Sequence, residues 1–88
     1  MTEKQLDTII GLIAGLQTAV VHLSNTLVAH TDLSRAAIAQ SFVATAENVP
    51  EQARNRALIQ LTLRQIASGI ESSNMGDEAD LQLRRLLH

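Results

Sequence analysis

A seven-residue apolar repeat with no charge inside it restricts this chain more than any other feature. Leu6, Ile9, Ile13, Leu16, Val20, Leu23 and Leu27 recur at alternating steps of three and four, and His30 takes the next place in the series. That spacing lays one apolar seam along an α-helix and predicts a single helix over Glu3–His30. Leu6, Ile13, Val20 and Leu27 form one row of the seam, and Ile9, Leu16, Leu23 and His30 form the other. From Thr8 to Thr31 there is no Asp, Glu, Lys or Arg. The flanking positions, charged in an exposed two-stranded coil, carry Ile10, Gln17 and Ser24 on one side and Leu12, Ala19 and Thr26 on the other. A helix so poor in charge is expected to be surrounded by protein.

Length points the same way. Such a helix is ~42 Å long, whereas a compact chain of 88 residues measures roughly 30 Å across. A straight helix would overhang its own domain, and an identical partner chain is the simplest cover. The expectation is a homodimer joined through Leu6, Ile9, Ile13, Leu16, Val20, Leu23, Leu27 and His30. A kink at Gly11 or Gly15 would shorten the rod instead.

The rest of the chain is also helical in pattern. Thr31 or Asp32 is suited to cap a second helix over about 33–47, which is rich in alanine and carries Ile38, Phe42 and Val43. Asn48-Val49-Pro50 ends it, since a residue before proline is pushed out of the helical region. Pro50 fits the first turn of a third helix, with Glu51 near its amino end. Ile59, Leu63, Ile66 and Ile70 give that helix a stripe. Residues 72–76 read as a loop. Asp77 then opens a short last helix, with Glu78 and Asp80 early, Arg84 and Arg85 late, and Leu81, Leu83, Leu86 and Leu87 to bury. The fold class is therefore all-α: three main helices and a short fourth, in one domain over residues 1–88.

Composition removes many functions. Cysteine, tryptophan and tyrosine are absent and Phe42 is the only aromatic, which excludes disulfides, thiolate metal sites, cysteine nucleophiles and base-stacking platforms. A net charge of −2 leaves no basic excess for non-specific nucleic-acid binding. His22 and His30 do not share a helix face, so no metal site is expected; Asp77, Glu78 and Asp80 read as helix-start charges. No serine lies in a nucleophile-elbow context and no glycine-rich loop is placed to cradle phosphate. Neither an enzyme nor a cofactor is expected. Protonation of His30 would place charge in the seam, although an exposed position at the open end of the bundle is the plainer reading.

The uncharged stretch is long enough to span a bilayer, and Gly11 and Gly15 have the spacing of touching membrane helices. Against a span, nine of its 24 residues are polar, most of them after Leu16. Glu3 and Asp7 also argue against a secretory signal. A soluble, cytoplasmic protein is the expectation.

Recognition of another macromolecule remains, and a protein is the expected partner. The chain fits a small regulatory, inhibitory or adaptor protein, including the sort carried by phages and mobile elements. Of its 16 charged residues, 11 lie from Glu47 onward, and Arg54, Arg64, Arg84 and Arg85 are the candidate partner-binding anchors. The competing reading is a dimeric DNA-binding regulator that uses Arg54, Arg56 and Arg64 of the third helix. On a helical wheel those three make no single reading edge.

Overall fold

The computed structural model describes residues 1–72 and 77–87, and within them the chain is all-α. Four helices follow in order: α1 Glu3–His30, α2 Arg35–Glu47, α3 Arg56–Ser72 and α4 Asp77–Leu87. The expected loop over 72–76 falls, apart from Ser72, outside the described residues, as do the side chains of Asp77 and Glu78.

α1 runs without interruption through Gly11 and Gly15, over the predicted residues. A capping box starts it. Thr2 Oγ1 accepts from the Gln5 N–H at 3.1 Å, and Gln5 Oε1 accepts from the Thr2 N–H at 2.9 Å. The molecule measures 44 × 28 × 16 Å. A 28-residue helix fits those dimensions only near the longest one. Its length therefore sets the length of the whole protein.

Two boundaries differ from the sequence reading. Ser34, not Thr31 or Asp32, caps α2: its hydroxyl accepts from the Ala37 N–H at 3.0 Å. Thr31 is occupied in closing α1, its N–H bonded to the Leu27 carbonyl. The second difference concerns Pro50, which lies outside α3. The chain turns there, with the Ala53 N–H on the Pro50 carbonyl, and Asn55 adopts a left-handed conformation (φ 56°) just before the helix. Asparagine tolerates that conformation better than most residues. The reversal lets α3 fold back on α2. Arg56 Nε then donates to the Val49 carbonyl at 3.1 Å, and Gln60 Nε2 to the Ala46 carbonyl at 3.0 Å. Side chains of α3 thus hold the Ala46 carbonyl in the last turn of α2 and the Val49 carbonyl just beyond it.

The apolar interior has two parts. Val21, Ala39, Ile66, Ala67 and Ile70 form the larger, flanked by Val20, Ile38, Phe42 and Val43. Ala39 and Ala46 are fully buried, so the alanines of α2 let it lie close against α3. The smaller part joins α1 to α4 through Leu6, Ile10 and Leu83, with Ile13, Leu58, Leu61 and Leu87 around them. On α1, Gln17 sits between the two. Its amide nitrogen donates to Gln65 Oε1 at 2.7 Å. Gln65 Nε2 donates in turn to the Ala79 carbonyl and to Gln82 Oε1, each at 3.1 Å. Gln17 and Gln65 are both buried, and this chain of amides ties α1, α3 and α4 together.

Candidate interaction surface

The eight seam residues divide when the chain folds. Leu6 is buried within the chain, and Ile13 and Val20 pack partly on its two clusters. Leu16, Leu23, Leu27 and His30 are exposed, and Ile9 is half-buried. Toward the rest of the chain α1 presents Leu6, Ile10, Gln17, Val21 and Ser24. Four of these five lie outside the seam, and their steps of 4, 7, 4 and 3 follow a second helical row. Sequence reading listed Ile10, Gln17 and Ser24 as flanks. Their glutamine and serine hid the row, since a polar residue does not register as core.

The other side of α1 stays open. Leu12, Leu16 and Leu23 are 65%, 70% and 61% exposed, and Leu27 is 40% exposed. At 100° per residue this row lies roughly 120° around the helix from the buried row, so α2, α3 and α4 do not reach it. Ala19 lies exposed in the middle of it. Single exposed leucines are ordinary on protein surfaces, whereas this row is continuous and uncharged. α1 also has the length and composition of a bilayer span: mean hydropathy over its most apolar window is 1.6, with 22% of that window buried in the chain. The helix is nevertheless bound along one side to α3 and α4, through Gln17, Leu6 and Ile10.

The arginines are less uniform than their sequence positions suggest. Arg84 is held by carboxylates of its own chain: Asp7 at 2.6 Å, Asp80 at 2.9 Å and Glu3 at 3.7 Å. The bond to Asp7, then that to Asp80, raises the guanidinium pKa above its ordinary value. Arg84 therefore fastens α4 to the start of α1. Arg85 lines a shallow open groove between α3 and α4 with Ala57, Leu61, Gln82 and Leu86. Arg64 is exposed on α3, while Arg54 lies in the turn before α3, so the two do not share a helix. Arg56 is engaged with the Val49 carbonyl. Arg35, which sequence reading did not single out, donates to Asn25 Oδ1 and to the Ile70 carbonyl (2.8 Å), joining the start of α2 to α1 and α3.

Among the described residues, no group of three His, Asp or Glu side chains is placed to hold a metal ion. Comparison with known proteins finds no matching family model, no matching curated protein and no matching solved structure.

Proposed function

We propose that this chain is a small, non-enzymatic, cytoplasmic helical protein that works by recognising other proteins and pairs with a copy of itself through α1. The observation that carries this reading is the open row of Leu12, Leu16, Leu23 and Leu27 on a helix that has no charge between Thr8 and Thr31. Leaving such a row in water forfeits the stabilisation of burying it. The groove beside Arg85 and the exposed Arg64 are the places offered to a second partner, since arginine is enriched where binding energy concentrates. Arg84 is not offered, because its guanidinium is already engaged.

The test is the solution mass of the protein and of Leu16→Asp together with Leu23→Asp. Sedimentation equilibrium should give a mass above 9.5 kDa for the unaltered protein, rising with concentration. The doubly substituted chain should sediment as a monomer with the same far-ultraviolet circular dichroism. A monomeric mass for the unaltered protein across the concentration range would refute self-association.

A further inference from the structure

Along the open side of α1 the four exposed leucines, with the half-buried Ile9 before them and the exposed His30 after them, are spaced the same in both directions. Ile9, Leu12, Leu16, Leu23, Leu27 and His30 follow at steps of 3, 4, 7, 4 and 3. Their mid-point falls between Ala19 and Val20. A two-fold axis there, perpendicular to the helix, would bring Leu16 level with Leu23 of a second copy and Leu12 level with its Leu27. Ile9 would meet its His30, and the small side chain of Ala19 would lie at the crossing point. We infer that the occupant of this face is a second copy of the chain, lying antiparallel with its two-fold axis at Ala19–Val20; this rests on the self-pairing proposed above.

Charge selects the direction. At the amino end of α1, Glu3 and Asp7 are turned to Arg84. At the other end, Arg35 is turned inward to Asn25 and the Ile70 carbonyl. That leaves Lys4 at one end and Asp32 at the other, both exposed and neither in an ion pair among the described residues. An antiparallel pair sets Lys4 of each chain within about one helical turn of the other chain's Asp32, while the like-charged residues level with them, Arg35 and Asp7, are already engaged within their own chain by Asn25 and by Arg84. A parallel pair would set lysine beside lysine and aspartate beside aspartate. Antiparallel packing also places opposite ends of the two helix dipoles together.

Size bounds the strength. The row from Ile9 to His30 is roughly 30 Å long and about 10 Å wide, a footprint of ~300 Å² per chain. Stable complexes bury ~800 Å² per partner. A footprint below that of a standard complex makes the pair a concentration-dependent one.

The chain has no cysteine, so introduced cysteines report pairing directly. Leu12→Cys and Leu27→Cys are made as separate proteins, oxidised alone and as a mixture, and checked for helicity by circular dichroism. The antiparallel register predicts a disulfide-linked heterodimer in the mixture. It also predicts no homodimer from Leu12→Cys alone, whose thiols would lie ~22 Å apart. Ala19→Cys, near the axis, should cross-link to itself. Self-linking of Leu12→Cys would overturn the register but leave self-association intact. Absence of every cross-link, with a monomeric mass for the unaltered protein, would overturn both. Flotation of a monomer with phospholipid vesicles would show that a bilayer, not a second copy, covers the face, and would overturn the inference too.

Discussion

Gln17 Nε2 lies 2.7 Å from Gln65 Oε1, and this bond is the link between α1 and α3 at the point where the apolar interior divides in two. Gln65 makes three such contacts, to Gln17, Gln82 and the Ala79 carbonyl, and therefore fixes the register of three helices at once. Replacing it with leucine strands the Gln17 amide in a buried site. Gln65→Leu should cost about 1–3 kcal/mol in urea denaturation. Gln17→Leu should cost less, because only one bond is lost. The double substitution removes both polar groups and should cost clearly less than the sum. Strict additivity of the two would mean that the pair is not coupled.

Ile70 is completely buried at the centre of the larger cluster, whereas Leu16 is 70% exposed. Ile70→Ala should therefore lose about 2–5 kcal/mol, a large part of what a domain of this size possesses. Leu16→Ala, measured at a concentration low enough to keep the chain monomeric, should change stability by no more than about 0.5 kcal/mol. Thermal denaturation of the two proteins side by side decides the matter. A comparable loss for both would mean that Leu16 is covered within the single chain.

Much of this architecture was legible in the sequence. α1 occupies its predicted residues because a long apolar period without proline has no competing reading. Ala39 and Ala46 of α2 and Ile66 and Ile70 of α3 lie in the core, but Ala36, Ala37 and Ala44 are exposed. Of the expected α3 stripe, Ile59 is exposed and Leu63 half-buried, because the first turns of α3 pack Leu58 and Leu61 on the smaller cluster instead. Which face of α1 meets the rest of the chain was not legible. Two rows run along that helix, and the one used internally contains Gln17 and Ser24, whose burial depends on Gln65 and on the Val20 carbonyl. Gln65 lies 48 residues along the chain from Gln17, and so distant a partner leaves no mark on local periodicity. The start of α3 was hidden for a similar reason: Pro50 suits a first helical turn, but Arg56 and Gln60 bond to the end of α2 only if the chain reverses first. Of the four arginines singled out as anchors, Arg84 proves to be engaged by Asp7, distant in sequence, which no spacing rule would find.

The two glycines of α1 offer a test that needs no partner. A Cβ placed on Gly11 or on Gly15 meets nothing within 4 Å. Neither glycine is needed for packing inside the chain, and each weakens the helix by about 1 kcal/mol relative to alanine. Gly15→Ala should therefore raise the denaturation midpoint of the monomer, and Gly11→Ala should do so to a similar degree. A loss of stability from either would place a close neighbour on this face of α1.

Arg84 supplies the last prediction. α4 has 11 residues, too few to be a stable helix alone, and it is held by Leu83 on one side and by the guanidinium of Arg84 on the other. Asp80 lies one turn earlier on α4 and steadies that guanidinium while it reaches Asp7 on α1. Because the pKa of Arg84 is raised on folding, its contribution is fully present below the ordinary arginine value and fades only above it. Alkaline conditions short of that range should leave the link intact. Salt is the effective lever, since the participating side chains are partly exposed and open to screening. Hydrogen exchange on Arg84→Gln should show faster exchange along α4, with the buried amides of α2 and α3 little changed. Molar sodium chloride should shift the unaltered protein in the same direction and have little further effect on the variant. Uniformly faster exchange in all four helices would show instead that α4 is part of the global folding unit, and that the Asp7–Arg84 link does not govern its docking.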